Sequence, residues 1–135
     1  MKVLSVVETA IYVDDLDAAE DFYQQILGLD VIAKEPARHV FFRVGQSQVL
    51  LAFNPKTTCT GDKLPHHGAM GPGHFALGIE KRSLDDWRTH LQDHRVRIEA
   101  EVEWPAGGQS IYFRDPASNS VELITPGVWR LPSGW

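Results

Sequence analysis

The sequence predicts an α+β fold in which one strand–helix–three-strand unit, βαβββ, occurs twice in tandem. Three observations predict it. Residues 41–55 (FFRVGQSQVLLAFNP) lie over residues 112–126 (YFRDPASNSVELITP) without a gap, sharing Phe42/Phe113, Arg43/Arg114, Ser47/Ser118 and Pro55/Pro126. The same order of elements can be read on both sides of the middle of the chain. Between the two copies, residues 54–73 are dominated by Pro, Gly, Thr and His and keep no periodicity, which marks a linker or an ordered loop. The chain divides accordingly into a first module at 1–55, a linker at 56–72, a second module at 73–126 and a tail at 127–135.

Residues 4–13 are rich in Val and Ile and read as the first strand, with Val7, Ile11 and Val13 facing a helix. Asp14, Asp15 and Asp17 offer N-caps and early negative charge for that helix. Its apolar stripe is Ala19, Phe22, Tyr23, Ile26 and Leu27, and Gly28 is its stop. Three strands follow near 31–33, 40–44 and 48–53. The second copy begins with a strand at 74–79. Ser83 with Asp86 resembles a capping box before a helix whose stripe is Leu84, Trp87 and Leu91. Strands near 96–102, 109–114 and 120–125 complete it. The tail holds Trp129 and Trp135, which suit covering a core edge or a subunit contact rather than binding a ligand.

Composition narrows the function classes. A hydrophobic fraction of 43% and a charged fraction of 23% describe an ordinary globular protein. A net charge of -5 with scattered Lys and Arg speaks against a nucleic-acid partner. The lone Cys59 forms no internal disulfide and suits a reducing, cytoplasmic location; it reads as an inert loop thiol. No signal peptide is expected at the N-terminus, where Glu8 interrupts a short apolar run, and no run could span a membrane.

Chemistry is read from strand parity, since side chains alternate between faces. His74, Ala76 and Gly78 share one face of the fifth strand, opposite Phe75, Leu77 and Ile79. Glu122 shares a face with Ser120 and Ile124, opposite Val121 and Leu123, and Glu8 projects between Val6 and Ala10. Glu8, His74 and Glu122 therefore point away from the helices. If the sheets curl around one cavity, the three converge on it. A carboxylate among apolar residues is costly unless paired, protonated or metal-bound. One histidine and two carboxylates suit a first-row divalent cation with positions left for water or substrate. The plainer reading makes Glu8 a solvated carboxylate, His74 a strand-end residue and Glu122 half of a salt bridge with Arg43 or Arg114. Arg43 and Arg114 share the groove-facing parity of Phe41, Leu51 and Tyr112; they can hold an anionic or carbonyl-bearing ligand, or bridge to Glu8, Glu122 or backbone carbonyls. Tyr12 and Phe53 line the same cavity or fill it. His66 and His67 could close over the groove, although tandem loop histidines are usually solvated. His90 and His94 read as a surface pair, because no Glu follows His90 as a zinc-protease motif requires.

The stretches ETAIYVDDLDAAEDFYQQILGL, GHFALGI and GGQSIYFRDPASNSVELITP together resemble the vicinal oxygen chelate superfamily, which includes glyoxalase I, fosfomycin-resistance transferases, extradiol dioxygenases and bleomycin-resistance proteins. The resemblance spans nearly the whole chain in order. It implies paired βαβββ modules whose curved mixed sheets enclose a metal or ligand groove, and a homodimer in which modules of different chains can combine. Ligand positions in metal-dependent members fall on Glu8, Leu51, His74 and Glu122. His74 and Glu122 match the pattern; Glu8 replaces a commoner histidine, and Leu51 stands where glyoxalase I carries a glutamate. Three remaining ligands suit a fosfomycin-type site, and Tyr112 falls on its substrate-contacting tyrosine. Ala10, Val102 and Ala106 depart from that family's threonine, basic and hydroxyl positions. Set against an extradiol site, Glu8 leaves one histidine where two are usual.

The resulting expectation is a small enzyme dependent on a divalent metal (Ni, Zn, Mn or Fe) held by Glu8, His74 and Glu122. It would act on a small organic substrate with neighbouring oxygens, as a glyoxalase-like lyase or isomerase or a dioxygenase. Glu8 or Glu122 would serve as general base, Tyr112 would donate a hydrogen bond, and Tyr12, Arg43, Phe53 and Arg114 would contact substrate. The alternative is a metal-free, bleomycin-resistance-like dimer that binds a ligand or antibiotic between aromatic side chains.

Overall fold

The computed structural model describes residues 1–60 and 65–135; the part of the expected linker at 61–64 lies outside the described residues. Two compact units divide the chain, Met1–Gly73 and His74–Trp135. The first contains β1 (Glu8–Tyr12), α1 (Leu16–Gln25), β2 (Asp30–Glu35), β3 (His39–Val44), β4 (Gln48–Phe53) and the short α2 (Pro55–Thr58). The second contains β5 (His74–Gly78), a 3-10 turn at Lys81–Ser83, α3 (Leu84–Asp93), β6 (Ala100–Glu103), β7 (Gln109–Arg114) and β8 (Ser120–Ile124). Each unit builds one open four-stranded mixed sheet, in the order β1-β4-β3-β2 and β5-β8-β7-β6. The first strand of each unit runs parallel to the last, and the remaining pairs are antiparallel.

The registers of the two sheets coincide. Glu8 faces Val49 and His74 faces Ser120; Ala10 faces Leu51 and Ala76 faces Glu122; Phe41 faces Leu51 and Tyr112 faces Glu122. Glu8 is thus the counterpart of His74, and Leu51 that of Glu122, as the gapless overlay of the two segments implies. The same correspondence matches Phe41 with Tyr112, His39 with Ser110 and Tyr12 with Gly78.

In each unit a helix covers one face of the sheet. Asp15 caps α1 by accepting the Asp17 and Ala18 N–H groups, and its buried stripe includes Leu16, Ala19, Tyr23, Ile26 and Leu27. Gly28 ends the helix at a φ of 64°, where its N–H bonds Gln24 and that of Leu29 bonds Tyr23. Tyr23 packs on Phe42 at 5.2 Å between ring centres, amid the fully buried Val40 and Ala52. Leu84 and Leu91 of α3 are buried in the second unit, whose sheet buries Ile111, Phe113, Val121 and Leu123 on the same side.

Some local expectations are corrected. The first strand begins at Glu8, because β4, its one partner among the described residues, starts at Gln48 after a tight turn; Val7, 55% exposed, is held by a backbone bond from Val49 and does not pack on the helix. The Ser83–Asp86 capping box does not form. Ser83 closes the 3-10 turn with near-helical backbone, and its hydroxyl donates back to the Glu80 carbonyl at 2.7 Å. β6 starts at Ala100, opposite Tyr112, just after the Glu99 N–H donates to the Tyr112 carbonyl at 2.7 Å. Part of the expected linker is α2, whose Asn54 cap accepts the Lys56 N–H and whose first position is Pro55. No helix among the described residues is long and apolar enough to cross a membrane.

Candidate functional site

The open face of the second sheet carries a buried carboxyl group. Glu122 is 5% exposed, although Val121 and Leu123 beside it fill the core on the other face. Such a carboxylate needs donors. Two hydroxyls from β7 supply them: Ser110 donates to Oε1, and Tyr112 donates to the same oxygen at 2.8 Å. Both sit on the Glu122 face by parity, Tyr112 directly opposite it and Ser110 two residues away. Ser110 is fixed in turn by the Trp104 indole N–H, which donates to its Oγ at 2.8 Å. A chain of donors from Trp104 through Ser110 thus aims one carboxylate oxygen and leaves Oε2 to other partners.

Oε2 faces His74. Its Nε2 lies 3.3 Å away, while Nδ1 is 3.2 Å from the Ser120 carbonyl. A carbonyl only accepts, so Nδ1 is the donor to Ser120, while Nε2 is turned to the Glu122 carboxyl. Half of the His74 side chain is exposed, and its ring lies 6.2 Å from that of Tyr112. Burial first, and then the hydrogen bond to Glu122, push the Tyr112 phenol above its ordinary value, so it remains a neutral donor.

The open face of the first sheet is built differently. At the positions of Ser110, Tyr112 and Glu122 stand His39, Phe41 and Leu51. His39 stacks on Phe41 at 4.0 Å between ring centres, and Phe41 meets Phe53 edge-on at 5.1 Å. His67 completes the group: its ring is 4.5 Å from Phe53, and its Nδ1 is 3.0 Å from the Tyr12 hydroxyl. The linker histidine therefore closes over an aromatic surface. Tyr12 and Phe53 line this surface, as their parity requires.

Glu8 is exposed at the open-face end of β1 and belongs to the first unit. Among the described residues no three His, Cys, Asp or Glu side chains gather into one metal-holding group; the second unit brings together His74 and Glu122. The arginines do not reach Glu8 or Glu122. Arg43 pairs with Asp30 on the neighbouring strand, and Arg114 donates to Glu99 at 2.8 Å and to the Ser118 carbonyl at 3.1 Å. These exposed pairs leave Glu122 to its hydroxyl and histidine partners. Ser110 and Trp104 were not among the sequence candidates. Parity alone places Ser110 on the Tyr112 face, whereas Trp104 lies beyond the end of β6 in a loop whose fold no pattern announces.

Residues 5–123 match the family described as the glyoxalase/bleomycin resistance protein/dioxygenase superfamily, and the chain belongs to it. The chain is similar to the metallothiol transferase FosB of Staphylococcus epidermidis, with 25% identity over 126 residues covering 93% of this chain and 84% of that protein. FosB of Bacillus licheniformis is 26% identical over 129 residues, covering 95% and 79%. Among solved structures, a lactoylglutathione lyase from Agrobacterium tumefaciens superposes with a TM-score of 0.89 at 41% identity, over 94% of this chain and 97% of that one.

Proposed function

We propose that the protein is a divalent-metal-dependent enzyme that acts on a small organic substrate bearing neighbouring oxygens. The observation that carries this reading is the His74–Glu122 pair. Metal–ligand bonds of about 2.0–2.2 Å at octahedral to tetrahedral angles set adjacent donor atoms about 2.8–3.6 Å apart, and Nε2 and Oε2 stand 3.3 Å apart. The other nitrogen of His74 is anchored to a carbonyl and the other oxygen of Glu122 to two hydroxyls. That is the outer support which orients metal ligands. His74 and Glu122 would hold the ion, with Glu8 as a third ligand from this chain or a second copy. Ni, Zn, Mn and Fe all suit such a donor set.

A bound divalent ion supplies Lewis-acid stabilisation of an enolate or oxyanion. The residues of the chain do the rest. Ser110, Trp104 and Tyr112 keep the Glu122 carboxylate from rotating. Tyr112, still protonated, can also offer its hydroxyl to a substrate oxygen. Glu8 or Glu122 would take the proton that the reaction releases. The similarity to a metallothiol transferase and to a lactoylglutathione lyase supports a substrate that is a small thiol adduct or its precursor. Leu51, with Phe41 and His39 in place of hydroxyl donors, separates the first unit from a carboxylate-bearing site. Exposed Val3, Leu4, Val6 and Val7 before an edge strand support a homodimer, and the chain's composition supports a cytoplasmic location.

Elemental analysis of the purified chain after incubation with Ni, Zn, Mn or Fe(II) tests the reading. Near-stoichiometric metal, lost in a His74→Ala, Glu122→Gln double variant, is expected. No uptake of any of the four would sink it. The aromatic group His39–Phe41–Phe53–His67–Tyr12 favours a second reading, a metal-free binder of a flat ligand; thermal shift with aromatic antibiotics addresses it, and no stabilisation by any compound counts against it.

A further inference from the structure

The segment after β8 returns to the sheet face that bears His74 and Glu122. Residues 126–135 form a compact loop in which the Gly127 N–H donates to Gly134, that of Gly134 to Leu131 and that of Leu131 to Trp135. The loop delivers the Trp135 indole to Gly78. A Cβ at Gly78 would stand 2.3 Å from its Cη2 and 2.7 Å from its Cζ2, so only glycine admits the ring there. Positions 74, 76 and 78 share one face of β5; the indole therefore stands on the His74 face, with the Ala76 methyl between ring and imidazole. Ala76 remains exposed. Its cross-strand neighbour is Glu122, and that of Glu122 is Tyr112. These five side chains outline a slot: His74 at one end, Trp135 at the other, Ala76 as the floor, Glu122 and Tyr112 along the side. Same-face residues on a strand are about 6.7 Å apart, so the slot runs roughly 13 Å from His74 to Gly78. The indole takes the Gly78 end of that span, which leaves the exposed Ala76 stretch between it and His74 for a ligand.

We infer that Trp135 is a specificity-determining wall: the ligand that presents its oxygens to His74 and Glu122 carries a flat conjugated or aromatic group that packs on the indole. The inference deepens the metal-dependent reading and rests on it. A stacked ring contributes about threefold to tenfold in affinity beyond its buried area.

Tropolone and acetohydroxamate separate the two ends of the slot, since both chelate through neighbouring oxygens but only tropolone has a ring. Each is titrated calorimetrically into zinc-loaded chain, as wild type, Trp135→Phe and Trp135→Ala. Tropolone affinity is expected to fall about tenfold in Trp135→Ala and less than threefold in Trp135→Phe, while acetohydroxamate changes less than twofold in either. Equal losses for both chelators would show that the tail only supports the sheet and overturn the inference. Unchanged tropolone affinity in a chain that still holds zinc would overturn it too, leaving the metal reading intact. A wild-type chain that takes up no zinc removes both.

Discussion

Replacing Tyr112 by Phe removes one of two hydroxyls that hold a buried carboxylate, and the rest of the ring stays in place. Glu122 is 5% exposed, and its Oε1 accepts from Tyr112 at 2.8 Å and from Ser110. A hydrogen bond to a charged group contributes about 1.5–3 kcal/mol. Ser110 remains, and Tyr112 is itself only half-buried, so the expected loss is about 2 kcal/mol. For a chain of this size that lowers Tm by roughly 5–10 °C. Glu122→Gln preserves the acceptor for both hydroxyls but removes the charge. In that background the same substitution breaks a neutral hydrogen bond, worth about 1 kcal/mol. Urea unfolding of the four proteins of this double-mutant cycle, with m unchanged, gives the coupling directly. A coupling of about 1 kcal/mol is expected. If Tyr112→Phe costs the same in the Glu122→Gln background as in wild type, the charge plays no part in the bond and the reading of Tyr112 as a donor to a charged carboxylate fails.

Two further outcomes follow from the geometry. Gly78→Ala drives a methyl into the Trp135 ring; a stability loss of about 1–3 kcal/mol and weakened tropolone binding matching that of Trp135→Ala are expected, and a variant with native stability and native tropolone affinity would contradict the packing. Burial pushes the His39 imidazole below its ordinary 6.5, with Glu35 opposing and Arg38 adding to it, and its buried Nδ1 has no hydrogen-bond partner among the described residues, Glu35 being 3.8 Å away. The fold therefore favours the neutral ring. Its contribution is present above about pH 6.5 and lost as pH falls below it, because the unfolded chain then binds the extra proton. A His39→Phe variant, compared with wild type by thermal unfolding between about pH 7 and pH 5, should lose less stability on acidification; identical slopes would refute the assignment.

Much of the fold was legible because both signals that define it are local. The span of β4 is the one read from the sequence, 48–53, since alternating burial and flanking turns bound it on both sides. Parity placed Glu122 and His74 on one face, and their partnership follows from two parallel neighbouring strands. What escaped depends on partners rather than composition. Residues 4–7 are nearly as apolar as a strand, yet among the described residues no strand pairs with them. The plainer reading gave Glu122 an arginine partner; the arginines instead meet Asp30 on β2 and Glu99 just before β6, while two hydroxyls take the buried carboxyl. The Trp135 contact joins a glycine to a residue across a folded loop, and neither carries a periodic signal.

The coincident registers let each half of the chain be judged by the other. Where the second sheet sinks a charge and must surround it with hydroxyls, the first sheet sets Leu51, Phe41 and His39 at the same coordinates and asks for none. Duplication has thus separated two demands that compete within a single sheet. One half is free to gather cohesion, while the other carries a group that water would hold more cheaply. The donor chain from Trp104 through Ser110 and Tyr112 to Glu122 lies wholly within the second unit, so substitutions at Leu51, Phe41 or His39 remove none of its hydrogen bonds.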